Sequence, residues 1–216
     1  MILINPSIKL ITVLIIALEI SFTQSTITNI LIVLIGFLYL LINNKITWNA
    51  LLILLLAIIP TVGIFMSQNM YGTAAMGNIL VTRLYAYITL GLTFTKTTTI
   101  QELGLSLEQN LKMPTKFVYG FMGGFNLINY VKQDIADIKQ AAHFRNINLH
   151  FWSPSLYFKA ILSAIRYAEL LSEGMESHGF SEQAYRTHYK KIALNKSDYS
   201  KATFILLILQ ISIVFI

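Results

Sequence analysis

The sequence predicts an all-α membrane protein with about five transmembrane helices, and with long amphipathic helices on the cytoplasmic side between the fourth span and the fifth. Three observations predict it. The 216 residues are 55% hydrophobic but only 12% charged, and a water-soluble domain is nearer a quarter charged, so lipid covers much of the surface. Mean hydropathy is +0.63, and the apolar residues gather into runs near the length that crosses a bilayer. Between residues 97 and 201 those runs give way to apolar positions three and four apart, the period of a helix with one wet face. The chain divides accordingly into a four-helix membrane part at 1–96, a cytoplasmic region at 97–201 and a last span at 202–216.

The first span runs from about Ile8 to Phe22 and is read as a retained helix, because no small-residue cleavage site follows it. Thr23 to Asn29 is a polar, uncharged connection. The second span, Ile30 to Ile42, is short unless Ile27 or Trp48 extends it, and it ends at Asn43, Asn44 and Lys45. The third takes Ala50 to Met66, kinked by Pro60, which removes a backbone donor. Gln68 to Gly77 is uncharged and turn-rich, and Asn78 to Thr95 makes the fourth span before Lys96. Lys9, Lys45 and Lys96 then share one side of the membrane, so the excess of positive charge puts the N-terminus and the region after Lys96 in the cytoplasm. Thr203 to Ile216, at 14 residues, reaches only about 21 Å as a helix and spans if extended back towards Tyr199.

In the cytoplasmic region Gln101 to Leu111 reads as a short helix and Lys116 to Asn146 as a long one, with Gly120, Gly123 and Gly124 permitting close crossing. His150 to Pro154 breaks the chain, Ser153 serving as N-cap and Pro154 as first helical residue of the next. One pattern then appears twice. Ile128, Val131, Ile135, Ile138, Ala142 and Arg145 form an apolar stripe that ends in a guanidinium, and Ile161, Ala164, Ala168, Leu171, Met175 and His178 repeat its spacing. Polar residues lie off each stripe, Lys132, Asp134, Asp137 and Lys139 in the first and Arg166, Glu169, Ser172 and Glu173 in the second. Asn146 and Gly179 follow, the two residue types that best tolerate a left-handed cap. Two readings fit: dipole-favoured basic caps, or two equivalent plugs for two equivalent sockets.

Other chemistry finds little support. Without cysteine there is no disulfide, thiolate catalysis or sulfur-bound zinc. His143, His150, His178 and His188 lack metal-ligand spacing, so no metal site, cofactor or catalytic residue is expected. Glu19 and Arg83 are the ionised residues deepest in the spans, both in the outer half, and read either as a structural ion pair or as part of a transport path. No phosphate-binding loop is present, so energy for any transport must come from a partner or an ion gradient. The net charge of +6 lies mostly in the second half, where membrane orientation and anionic headgroups explain it without nucleic acid.

Asn5-Pro6-Ser7-Ile8-Lys9-Leu10, the turn at Leu111 to Pro114 and above all the two helix ends resemble the T component of energy-coupling factor transporters. The likeness covers the layout of the whole chain. Its second helix end, Met175-Glu176-Ser177-His178-Gly179-Phe180, is the more specific; the first, Ala142 to Asn146, keeps only Arg145 of the family's Ala-Arg-Gly-like triplet, and the second has histidine in place of arginine. An imidazole of ordinary basicity is mostly neutral at cytoplasmic pH, so the two couplings are expected to be unequal.

The resemblance implies an L-shaped multi-pass subunit of the bacterial cell membrane that joins two ABC ATPases to a substrate-binding membrane subunit, for uptake of a vitamin or transition-metal ion. It places ATPase coupling at Ala142, Phe144, Arg145, Asn146, Glu176, Ser177, His178 and Gly179, with Arg145 and His178 facing acidic clefts. The stripe residues from Ile128 to Ile138 and from Ile161 to Met175 are the implied interface for the substrate-binding subunit. Two other classes stay open on the residues alone: a lipid- or peptide-processing membrane enzyme, and a non-transport scaffold or sensor that holds a soluble protein by its basic half.

Overall fold

A computed structural model describes residues 4–150, 152–181 and 187–215. Among them it contains nine α-helices and no strand: α1 (Pro6–Phe22), α2 (Thr26–Ile42), α3 (Trp48–Leu56), α4 (Ile58–Tyr71), α5 (Ala74–Thr97), α6 (Ile100–Leu111), α7 (Thr115–Phe144), α8 (Pro154–Ser177) and α9 (Lys196–Phe215). Phe151, in the expected break, and Ile216, the expected end of the last span, lie outside the described residues. The chain forms two compact units, one of residues through Ser106 and from Ile192 onward, the other Leu107–Lys191.

In the first unit α5 is the central helix, packed against α1, α2, α3 and α4, while α9 packs on α1 and α2. Ile16, Ile20, Ile32, Ala86, Leu90 and Leu209 form its core. The crossing of α2 and α5 is close because Gly36 has no side chain: a Cβ there would lie 2.6 Å from Thr89 Cγ2. Outside this core the helices keep a greasy surface, with Leu14, Leu18, Phe22, Leu34, Leu55 and Ile59 all more than half exposed, an arrangement that suits lipid and not water. The rod formed by α3 and α4, Trp48–Tyr71, is the one described helix both long and apolar enough to cross a bilayer by itself, with 24 residues, hydropathy 2.6 and 11% of its most apolar window buried. Of the other expected spans, α1 and α2 have 17 residues each, and α5 and α9 reach 24 and 20 while carrying charged residues.

Several boundaries differ from expectation, mostly towards longer helices, although α7 ends at Phe144, two residues before the expected Asn146. α2 begins at Thr26, where the Ser25 hydroxyl caps the Thr28 amide. α4 runs on through Gln68, Asn69 and Met70, so the expected ten-residue connection shrinks to Gly72 and Thr73, whose hydroxyl caps α5. The break near Pro60 falls at Ala57, because proline donates no hydrogen bond to the Leu56 carbonyl one turn back. α9 starts at Lys196, with Asp198 in its first turn where the dipole favours an acid, and its 20 residues cover about 30 Å.

The expected ion pair is absent. The Glu19 carboxylate instead accepts from Gln210 Nε2 of α9 at 2.6 Å, and Arg83 Nη2 donates to the Thr23 carbonyl at 2.7 Å. Thr23 is the C-cap of α1, so the guanidinium meets the negative end of a helix rather than a carboxylate.

Candidate functional site

The second unit is built on α7 and α8, which pack against each other. α7 is a single 30-residue helix despite its three glycines, and only one of these lies close against the neighbouring helix. A Cβ on Gly123 would meet Leu171 Cδ2 at 2.8 Å, whereas Gly120 and Gly124 have nothing within 4 Å. Further along, Asp134 accepts from the Ser163 hydroxyl and, at 3.2 Å, from Tyr167 Oη. The hydrogen bond to that carboxylate holds the Tyr167 hydroxyl above the usual tyrosine range. At the other side Tyr119 and Phe180 meet edge to face, centroids 6.1 Å apart. Contacts that advance from 119 to 134 on α7 thus retreat from 180 to 163 on α8, and the two helices run antiparallel.

Antiparallel packing decides where the repeated ends go. Arg145 and His178 are not brought together; they stand at opposite ends of the pair, roughly 40 Å apart along it at 1.5 Å per helical residue. Each helix closes in the same way. At α7 the Asn146 amide bonds to His143 O at 3.0 Å and the Ile147 amide to Ala142 O at 2.9 Å. At α8 the Gly179 amide bonds to Glu176 O and the Phe180 amide to Met175 O, both at 2.9 Å. Asn146 has φ 58° and Gly179 φ 76°, so both ends are Schellman caps on residues 33 apart in register. The expected Ser153 N-cap makes no side-chain bond, and Pro154 at the first helical position begins α8 unaided.

These caps present their side chains to the outside. Phe144 is 88% exposed, and Arg145, Asn146, Glu176, Ser177, His178 and Gly179 are exposed with it, while Ala142 is buried. The stripes are covered only in part. Val131, Ile135, Ile138, Ala164 and Met175 are half-buried, Ala168 is exposed, and Ile128, Ile161 and Leu171 keep 45%, 58% and 40% of their surface.

The structure adds an apolar face that the stripes do not contain. Phe117, Phe121 and Phe125 follow one another at four-residue intervals on α7 and lead into Ile128, with Gly120 and Gly124 as the floor of a groove beside them. Phe121 and Phe125 stack edge to face at 4.9 Å. Their spacing is visible in the sequence; the Asp134, Ser163 and Tyr167 cluster is not, since it depends on which turns of two helices meet. Among the described residues no group of His, Asp or Glu is gathered as for a metal ion.

The described fold is all-helical, and its second unit carries two helix ends of equal geometry at opposite ends of one antiparallel pair. Residues 2–189 match the family of CbiQ cobalt transport proteins. The chain belongs to that family, the T-component family of energy-coupling factor transporters, a permease component of ABC-type cobalt transporters and not an enzyme family. The comparison with curated proteins gives no match.

Proposed function

We propose that this chain is the transmembrane coupling subunit of an energy-coupling factor importer in the bacterial cell membrane. It spans the membrane several times with its N-terminus in the cytoplasm, docks one ATPase at the α7 end and one at the α8 end, and transmits their motion to a substrate-binding membrane subunit. The cargo class is a micronutrient, a vitamin or a transition-metal ion, cobalt being the one in the family's description. The observation that carries this reading is the pair of matched Schellman ends, which expose Arg145 and His178 at opposite ends of α7 and α8. Two ATPases that close on ATP change the distance between two docking points, and a helix pair with a docking point at each end converts that change into a tilt or a scissoring. The half-covered stripes and the Phe117, Phe121 and Phe125 face offer the substrate-binding subunit an apolar surface that moves with the ends.

Arg145→Glu tests it. Arg145 is exposed, so the fold should survive, while an arginine that faces a carboxylate in the docked state becomes a like-charge contact costing several kcal/mol. The expected result is loss of ATPase from the purified complex, or of ATP-driven uptake, with an unchanged circular dichroism spectrum. Assembly and uptake both surviving the reversal would refute the coupling role.

A further inference from the structure

The chain leaves the first unit after Ser106 and re-enters it at Ile192, and within that unit both points are bonded to one side chain. Asn5 is the N-cap of α1. Its Oδ1 accepts from the Ser7 amide at 3.1 Å, the ordinary capping bond, and from the Ser106 hydroxyl at 2.8 Å. Its Nδ2 donates to the Ala193 carbonyl at 3.3 Å. Ser7 strengthens the exit side, its hydroxyl lying 2.5 Å from that of Ser106. One turn on, Lys9 Nζ donates to the carbonyl and hydroxyl of Thr97 at 3.2 and 2.8 Å and to the Thr98 hydroxyl at 3.0 Å, which ties α1 to the end of α5 and its C-cap. Inside the second unit the same two segments are joined again, Gln109 Nε2 donating to Lys190 O at 2.9 Å.

This knot is buried and polar where an apolar contact would hold a bundle equally well. Ser106 is 0% exposed, Ser7 2%, Asn5 5% and Lys9 6%. A capping asparagine needs one acceptor bond to do its work at a helix start, so the bonds to Ser106 and Ala193 are not explained by capping. Buried polar networks of this kind fix one geometry, because a shifted arrangement leaves donors and acceptors unpaired. We infer that Asn5 is a positioning residue for coupling: it fastens the outgoing and returning segments to the start of α1, so that a movement of either segment is passed to that helix. The inference rests on the coupling role proposed above, and its test separates the two.

Because the chain has no cysteine, spin labels can be placed on Gln101→Cys and Asn195→Cys, both exposed and both in the first unit. Pulsed dipolar spectroscopy should give one narrow distance distribution in the full chain and a broadened or split one with Asn5→Ala added. In the complex purified with its ATPases and substrate-binding subunit, unlabelled Asn5→Ala should keep assembly and ATP hydrolysis while uptake per ATP falls several-fold, a ratio that a merely stabilising residue would leave unchanged. Ser106→Ala, which removes the exit-side bonds to Asn5 and Ser7 but leaves Asn5 bonded to Ala193, should lower the same ratio as well. An unbroadened distance distribution, or an unchanged ratio of uptake to hydrolysis, overturns the inference while leaving the coupling role intact. A wild-type complex that hydrolyses ATP without uptake overturns the coupling role, and the inference with it.

Discussion

Gly179→Ala isolates the backbone of one candidate docking point from everything around it. Gly179 has φ 76°, and a Cβ built on it meets nothing within 4 Å, so the substitution introduces no clash and the whole cost is that of holding an L-residue in the left-handed region. That cost is about 1 to 2 kcal/mol, enough to raise the open population of the cap roughly five- to thirty-fold. Two amides report it directly, at position 179 and at Phe180, which donate to Glu176 O and Met175 O at 2.9 Å each. Hydrogen exchange at both should quicken by that factor, while amides in the middle of α8 keep their protection. Asn146→Gly is the internal control at the equivalent place on α7: asparagine already tolerates φ 58°, so removing its side chain should leave exchange at position 146 and at Ile147 within about twofold of wild type. Wild-type exchange in Gly179→Ala, or greater loosening from Asn146→Gly than from Gly179→Ala, would show that these ends are not the paired left-handed caps described.

Four further substitutions test the packing. With open space around them, Gly120→Ala and Gly124→Ala should each raise stability by roughly 1 kcal/mol through helix propensity, whereas Gly123→Val, 2.8 Å from Leu171 Cδ2 at its Cβ, should lower it by about 1 to 3 kcal/mol; equal melting shifts at all three positions would contradict the crossing. Glu19→Gln keeps an oxygen for the bond from Gln210 and removes a charge that has no ionic partner, so melting should shift by no more than about 1 kcal/mol, against the 3 to 5 expected on breaking a buried ion pair.

What could be read in advance was local. Asn146 and Gly179 announce left-handed caps because the tolerance of φ > 0 belongs to the residue itself, and the stripes from Ile128 and from Ile161 announce two helices because period is a property of one chain. Helix length was underestimated wherever polarity stood in for a stop signal. Thr26 to Asn29 and Gln68 to Met70 are polar yet helix-compatible, and the chain keeps its hydrogen bonds through them. Relations between elements were illegible. Counting rises from each end puts Glu19 and Arg83 at one depth, but depth says nothing of rotation about the helix axes, and each side chain found a closer partner in Gln210 or in the C-cap of α1. The sense in which α7 and α8 cross was hidden likewise, since the bonds that reveal it join Asp134 to Ser163 and Tyr167 across a register no single-chain pattern encodes.

The two ends are alike in backbone and unlike in charge. The last two turns of α7 carry Lys139, His143 and Arg145, while those of α8 carry Glu173 and Glu176 ahead of His178. A helix C-terminus favours cations by about 0.3 to 1 kcal/mol and disfavours acids by a similar amount, so the basic end agrees with helix physics and the acidic one works against it. Glu173 and Glu176 are exposed, and among the described residues no contact offsets that penalty in the way Ser163 and Tyr167 satisfy Asp134. The antiparallel packing of α7 and α8 sets where the two ends stand; the side chains then make them different surfaces. On the coupling role proposed above, a partner pair that docks at both ends is expected to present unlike surfaces to them, an acidic one to Arg145 and a less acidic one to the glutamates of α8.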